Sequence, residues 1–238
     1  MGTLTVVRHG QASMFADDYD ELSELGEAQA RALGGWLRGV GPTPDRVCTG
    51  PAKRQRETAR LCGEAYAEVN RPWPELELVP ELDEHDAFRM LTTVVPRLQH
   101  DPEIATLAAA AGERGDARLR STNFQRLFEA VMLRWLRGEL DDDTLESWPA
   151  FSARVERGLA QLLESRGSGQ HILAFTSVGP IAVLLRTALG TSDAASFRTA
   201  WRIRNASITT FVFRGRELTL DGFNALPHVP DRGAWTFR

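Results

Sequence analysis

The sequence predicts an α/β fold organised around a parallel sheet, and three observations carry that reading. Short runs at Leu4–Val7, Asp45–Thr49 and His171–Thr176 have the length and composition of buried strands. Each is followed by a turn containing glycine. A segment with helical apolar spacing comes next. Strand, helix, strand, helix is the pattern of a parallel sheet with crossover helices.

Taken in order, the first strand ends abruptly in Arg8-His9-Gly10, and a polar loop rich in Asp runs from Ala12 to Glu21. Ser23 has the character of an N-cap, with Glu24 and Glu27 in the first turn of the helix it opens. Leu33, Trp36, Leu37 and Val40 give that helix its apolar face, and Gly39, Gly41, Pro42 and Pro44 end it. After the second strand, Gly50-Pro51 turns the chain into a helix from about Ala52 to Tyr66. A proline-rich stretch over 70–80 leads to a third strand around Glu77–Val79 and then to the acidic run Glu81-Leu82-Asp83-Glu84-His85-Asp86.

From about Ala87 to Pro149 the strand rhythm stops. An alanine-rich, polar piece (Ala105 to Arg120) leads into a helix whose stripe is Phe124, Leu127, Phe128, Val131 and Trp135. This segment is expected to be a helical cap insertion within a single domain spanning 1–238, with Asp141-Asp142-Asp143 as a solvated turn. The α/β pattern resumes with a helix marked by Phe151, Val155, Leu159, Leu162 and Leu163, closed by Gly167-Ser168-Gly169. The strand His171–Thr176 follows, then a turn at Ser177-Val178-Gly179-Pro180 and a helix to about Leu189. Asn205–Phe213 and Glu217–Phe223 read as two edge strands around Arg214-Gly215-Arg216, and an irregular tail runs from Leu226 to Arg238.

Composition narrows the function classes. With 238 residues, 42% hydrophobic and 25% charged, the chain can bury one sizeable core. A net charge of -4 gives no global attraction for nucleic acid. Cys48 and Cys62 form neither a disulfide framework nor a metal-binding pair, so no metal and no other cofactor is expected. The N-terminal residues lack the basic and apolar regions of a signal peptide, and no apolar run is long enough to span a bilayer. A cytoplasmic location is expected, with no membrane partner.

The candidate chemistry gathers at strand ends. C-terminal strand ends of a parallel sheet share one edge, so Arg8, His9 and Arg54 should meet there. A guanidinium clamps a phosphate bidentately, and its charge keeps a neighbouring imidazole neutral and able to attack. The acidic run at 81–86 leaves another strand end, where a proton donor belongs. The strand-to-helix turn at Ser177 presents free backbone N–H groups, a natural anion site. Lys53, Arg56 and Arg60 read as a solvated basic helix face.

These segments together resemble the histidine phosphatase superfamily, the phosphoglycerate mutase-like fold. Arg8-His9-Gly10 looks like its signature, and Leu22-Ser23-Glu24-Leu25-Gly26 with Gln29-Ala30 like its first-helix pattern. Gly50-Pro51-Ala52-Lys53-Arg54 with Thr58-Ala59, Leu82-Asp83-Glu84, and Asn205-Ala206-Ser207-Ile208-Thr209 match later segments. The resemblance implies a three-layer α/β/α sandwich with a mixed, mostly parallel sheet. It implies His9 as nucleophile, Arg8 and Arg54 as phosphate ligands, and Glu84 as proton donor.

The family usually carries a second catalytic histidine where this chain has Ser177, and an asparagine in the first loop near Phe15. Ser177, Gln11 and Ser13 are the substitutes expected to bind phosphate, with His85 and His228 as alternatives to the missing histidine. The implied function is hydrolysis of a small phosphomonoester through a phosphohistidine. The alternatives are a catalytically weak phospholigand-binding protein and a phosphoglycerate mutase. A homodimer, with Trp201 and the edge strands as candidate contacts, is left open.

Overall fold

The computed structural model describes residues 1–12, 20–112, 117–140, 142–164 and 169–237. Among them run β1 (Gly2–Arg8), α1 (Glu24–Val40), β2 (Arg46–Thr49), α2 (Lys53–Ala67) and β3 (Leu76–Leu78). They are followed by α3 (Ala87–Arg97), α4 (Pro102–Gly112), α5 (Ala117–Leu136) and α6 (Trp148–Leu162). Last come β4 (His171–Thr176), α7 (Val178–Leu189), α8 (Asp193–Ala200), β5 (Ile208–Arg214) and β6 (Glu217–Ala225). The chain divides into two compact units, 1–84 with 152–238, and 85–151.

The first unit holds a six-stranded sheet in the order β3-β2-β4-β1-β5-β6. β3, β2, β4 and β1 are parallel, while β5 is antiparallel to both its neighbours, so the sheet is mixed. One expectation is corrected here: β5 is not an edge strand but lies between β1 and β6. Its residues Ile208 and Phe211 are buried, as an interior strand requires. The edges are β3 and β6.

Side-chain alternation gives the sheet two apolar faces. Val7, Val47, Leu173, Phe175 and Ile208 pack with Leu33 of α1 and Ala59 and Cys62 of α2. Leu4, Val6, Ile172 and Ala174 alternate with that set and are equally buried, so they point to the other face. There α7 runs against β1 and β6, and its residues from Gly179 to Leu185 are buried. Helices on both faces make the three-layer α/β/α fold.

Register decides where the strands end. Arg8 pairs with Thr176, and Thr49 with Phe175. β1, β4 and β2 therefore finish nearly level, and His9, Ser177 and Gly50 leave the sheet at one edge.

The second unit is helical. Of the alanine-rich, polar segment expected ahead of the striped helix, residues 105–112 lie in α4 and 117–120 already belong to α5. Alanine has the highest helix propensity, and Asp101 Oδ1 caps α4 by accepting from the N–H groups of Glu103 and Ile104 at 2.9 and 3.1 Å. Within the α5 stripe, Leu127, Val131 and Trp135 are buried, whereas Phe124 is 37% exposed. Trp135, Trp148 and Phe151 form an aromatic cluster. His85 belongs to it, stacked on Trp135 at 5.0 Å and edge-on to Phe151 at 5.7 Å. Asp142, expected in a solvated turn, instead has its side chain almost fully buried and pairs with Arg97, and Asp141 lies outside the described residues.

Candidate active site

The loop after β1 is held from several sides. The His9 N–H donates to the Thr176 carbonyl at 3.0 Å, and the Ala206 N–H donates to the His9 carbonyl at 3.1 Å. Ala206 reaches that carbonyl with a left-handed φ of 55°, which few non-glycine residues adopt. Asn205 Nδ2 donates to the His9 and Gly10 carbonyls at 3.3 and 3.4 Å. The Gly10 N–H donates to Thr58 Oγ1 at 3.0 Å, which ties the loop to α2.

The hydrogen bonds define the His9 tautomer. Nδ1 lies 2.7 Å from the Gly10 carbonyl. A carbonyl only accepts, so Nδ1 carries the proton and Nε2 the lone pair. Arg54 Nε donates to Nε2 at 3.2 Å, consistent with that assignment. Burial first, then the charges of Arg54 and Arg8, hold the His9 pKa well below its usual 6.5, against the opposing pull of the Gly10 hydrogen bond and the Glu84 charge. The result is a neutral imidazole with its lone-pair nitrogen facing a guanidinium.

Arg8 is buried at the end of β1, and its Nη1 donates to the Ile203 carbonyl. Arg54 sits in the first turn of α2. Asp20 holds it there: its carboxylate accepts from Arg54 Nη1 at 2.7 Å and from the Lys53 N–H at 2.7 Å. Sequence reasoning did not single out Asp20. A signal was present, because Ala52 at the helix N-cap has no side chain able to cap, so the donors at the start of α2 need a carboxylate from elsewhere.

Glu84 leaves the segment after β3 and turns to the start of α7. Both its carboxylate oxygens accept from the Gly179 N–H, at 3.1 and 3.0 Å. Ser177, 1% exposed, is the N-cap residue of α7, but its hydroxyl makes no cap bond and instead accepts from Gln55 Nε2 at 2.8 Å.

The other candidates fall differently. Gln11 turns its side-chain carbonyl to Ser23, accepting the Ser23 hydroxyl at 3.0 Å, in a contact that anchors α1. Ser13 and Phe15 lie outside the described residues. His85 is packed in the aromatic cluster. His228 has both ring nitrogens buried without a hydrogen-bond partner, and burial lowers its pKa to about 4. Lys53 and Arg60 pair with Glu21 and with Glu57 and Glu64. The tail also reaches the loop, since Thr236 Oγ1 donates to Asn205 Oδ1 at 3.0 Å and Gln29 Nε2 donates to Thr236 Oγ1 at 3.1 Å. Neither Gln29 nor Thr236 carries a local sequence signal for that role.

Among the described residues, no three His, Cys, Asp or Glu side chains gather as a metal site, and no helix is long and apolar enough to cross a membrane. What the site can do is bind a tetrahedral anion and present a nucleophile to it. Two guanidiniums, a neutral imidazole, a carboxylate and a helix N-terminus converge at one sheet edge.

The family model for the histidine phosphatase superfamily (branch 1) matches residues 4–105 and 113–226, so the match includes most of the helical unit. Solved structures share the fold. A phosphoglycerate mutase from Bacillus anthracis is 18% identical with a TM-score of 0.64, covering 96% of this chain and 95% of that one. An alpha-ribazole phosphatase from Shigella flexneri is 22% identical with a TM-score of 0.61, covering 94% and 96%. A phosphoserine phosphatase from Entamoeba histolytica is 19% identical with a TM-score of 0.59, covering 96% and 100%. No curated protein matches in sequence.

Proposed function

This chain belongs to the histidine phosphatase superfamily, and on that premise we propose that it hydrolyses a small phosphomonoester through a phosphohistidine on His9. The observation that carries the proposal is the state of His9, protonated on Nδ1 and facing Arg54 with Nε2. The Nε2 lone pair attacks phosphorus, and the ester P–O bond breaks in line. Arg8 and Arg54 neutralise charge on the equatorial oxygens as it develops. Glu84 takes up a proton from solvent as the negative ester binds beside it, and gives that proton to the leaving alkoxide. A water then gives a proton back to Glu84 and attacks phosphorus. The P–N bond breaks, the electron pair returns to Nε2, and inorganic phosphate leaves.

Phosphate release from a panel of phosphomonoesters tests this. Wild type should turn over at least one ester, and His9→Ala should lose that activity at unchanged fold. Equal activity in both proteins contradicts the mechanism. Ser177 favours a second reading, a protein that binds a phosphorylated ligand without turnover, because a neutral hydroxyl stands where the family usually has a histidine. Calorimetric binding of a phosphate ester with no release in wild type would favour it. Interconversion of 3- and 2-phosphoglycerate in a coupled assay would instead show a mutase.

A further inference from the structure

Ser177 and Gln55 form a buried pair at the end of β4. Gln55, 0% exposed, lies in the first turn of α2. Its amide has a single satisfied orientation. Oε1 accepts from the Ala52 N–H at 3.3 Å, while Nε2 faces the Leu82 carbonyl at 3.5 Å and Ser177 Oγ at 2.8 Å. Turning the amide over would set oxygen against the carbonyl and NH2 against the N–H. The slot is shaped for this side chain, since a Cβ on Gly50 would lie 2.1 Å from Gln55 Oε1.

The consequence falls on Ser177. Its oxygen already accepts from the amide, and no acceptor among the described residues takes its proton. A buried donor without an acceptor is costly, and this one sits beside the loop that carries His9, through the bond from the His9 N–H to Thr176. Resting on the phosphatase reading above, we propose that Gln55 is a positioning residue that fixes the Ser177 hydroxyl as a donor to a phosphoryl oxygen bound at Arg8, His9 and Arg54. Gln55 does not touch the substrate. It acts by occupying the acceptor side of the hydroxyl, so that the proton faces the anion. The pair supplies a neutral, preorganised hydrogen bond where a histidine would supply a titratable one.

A double-mutant cycle tests the pair, with p-nitrophenyl phosphate as the probe. Ser177→Ala is expected to lower kcat roughly 100-fold, the order for losing one preorganised donor. Gln55→Met, similar in size but without the amide, should lower kcat roughly 10-fold in wild type and leave it unchanged in the Ser177→Ala background. Equal losses in both backgrounds, or no loss from either single variant, would overturn the proposal. His9→Ala in the same assay separates the two levels: if it stays active, the phosphatase reading itself fails. Orthovanadate inhibition gives a second measurement that needs no Gln55 variant. Ser177→Ala should bind vanadate at least 10-fold more weakly, by the same factor from pH 6 to pH 8, because neither member of the pair titrates there. Unchanged affinity, or a ratio that varies with pH, contradicts the assignment.

Discussion

At the residue scale the central group is His9, whose chemistry depends on its neighbours. In the proposed mechanism the imidazole must be neutral to attack. Burial and the charges of Arg54 and Arg8 lower its pKa well below 6.5, so the acid limb of kcat/KM should lie below pH 6.5. Arg54→Gln removes one of those charges. The acid limb should then move to higher pH, together with a rate loss of roughly 100- to 1000-fold if, as proposed, Arg54 binds the phosphoryl group. Profiles of kcat/KM from pH 4 to 8 for both proteins would check this; a wild-type limb above 6.5, or one that does not move in Arg54→Gln, would contradict the electrostatic account. The strand-end histidine and the helix-start arginine stood out in the sequence because one follows a strand and the other opens a helix, whereas position alone gave only the acidic run at 81–86 and the family resemblance picked Glu84 from it. The contacts of Asp20, Asn205 and Gln29 were not legible, because they run across 34, 196 and 207 residues of sequence respectively. The bare N-cap at Ala52 signals that a carboxylate is needed there, but no local pattern says which distant residue supplies it.

At the element scale, the approach of the His9 loop to the start of α1 sets the site's position. A Cβ on Gly26 would lie 2.1 Å from the Gln11 carbonyl oxygen, and one on Gly10 would lie 2.4 Å from the Gly26 carbonyl oxygen. Backbone meets backbone, so neither side can yield by rotating a side chain. Gly26→Ala should therefore destabilise the fold by about 2–4 kcal/mol, read as a lower urea midpoint at unchanged slope; a variant as stable as wild type would show that the loop has room to move. Most elements were readable from local signals. Ser23 accepts from the Gly26 N–H as an N-cap should, and β4 has the bounds expected from its apolar run. The placement of β5 was not readable. A β-branched hairpin near a terminus looks like an edge pair, and only its antiparallel pairing to β1, more than 200 residues away in sequence, moves it inside.

At the scale of the whole molecule, two buried imidazoles make stability depend on pH. His9 and His228 are held neutral by burial, so an unfolded chain binds more protons than the folded one below pH 6.5. Their contribution is complete above 6.5 and falls as pH drops, for His228 down to about 4. At pH 5 that group alone costs about 2 kcal/mol relative to pH 7. His228→Phe should lose correspondingly less stability between pH 7 and pH 5 in urea unfolding; equal losses in both proteins would show that His228 is not buried neutral. The same sheet edge that buries His9 brings together groups from β1, α2, the segment after β3 and the start of α7. The central claim, that those groups make His9 a covalent nucleophile, is tested most directly by trapping the intermediate. Wild type is mixed with a 32P-labelled phosphomonoester that it hydrolyses, quenched in alkali and digested. One acid-labile, alkali-stable label on the peptide carrying His9, absent from His9→Ala, is the predicted result. Rapid turnover with no label on that peptide at any quench time, and undiminished turnover in His9→Ala, would contradict it.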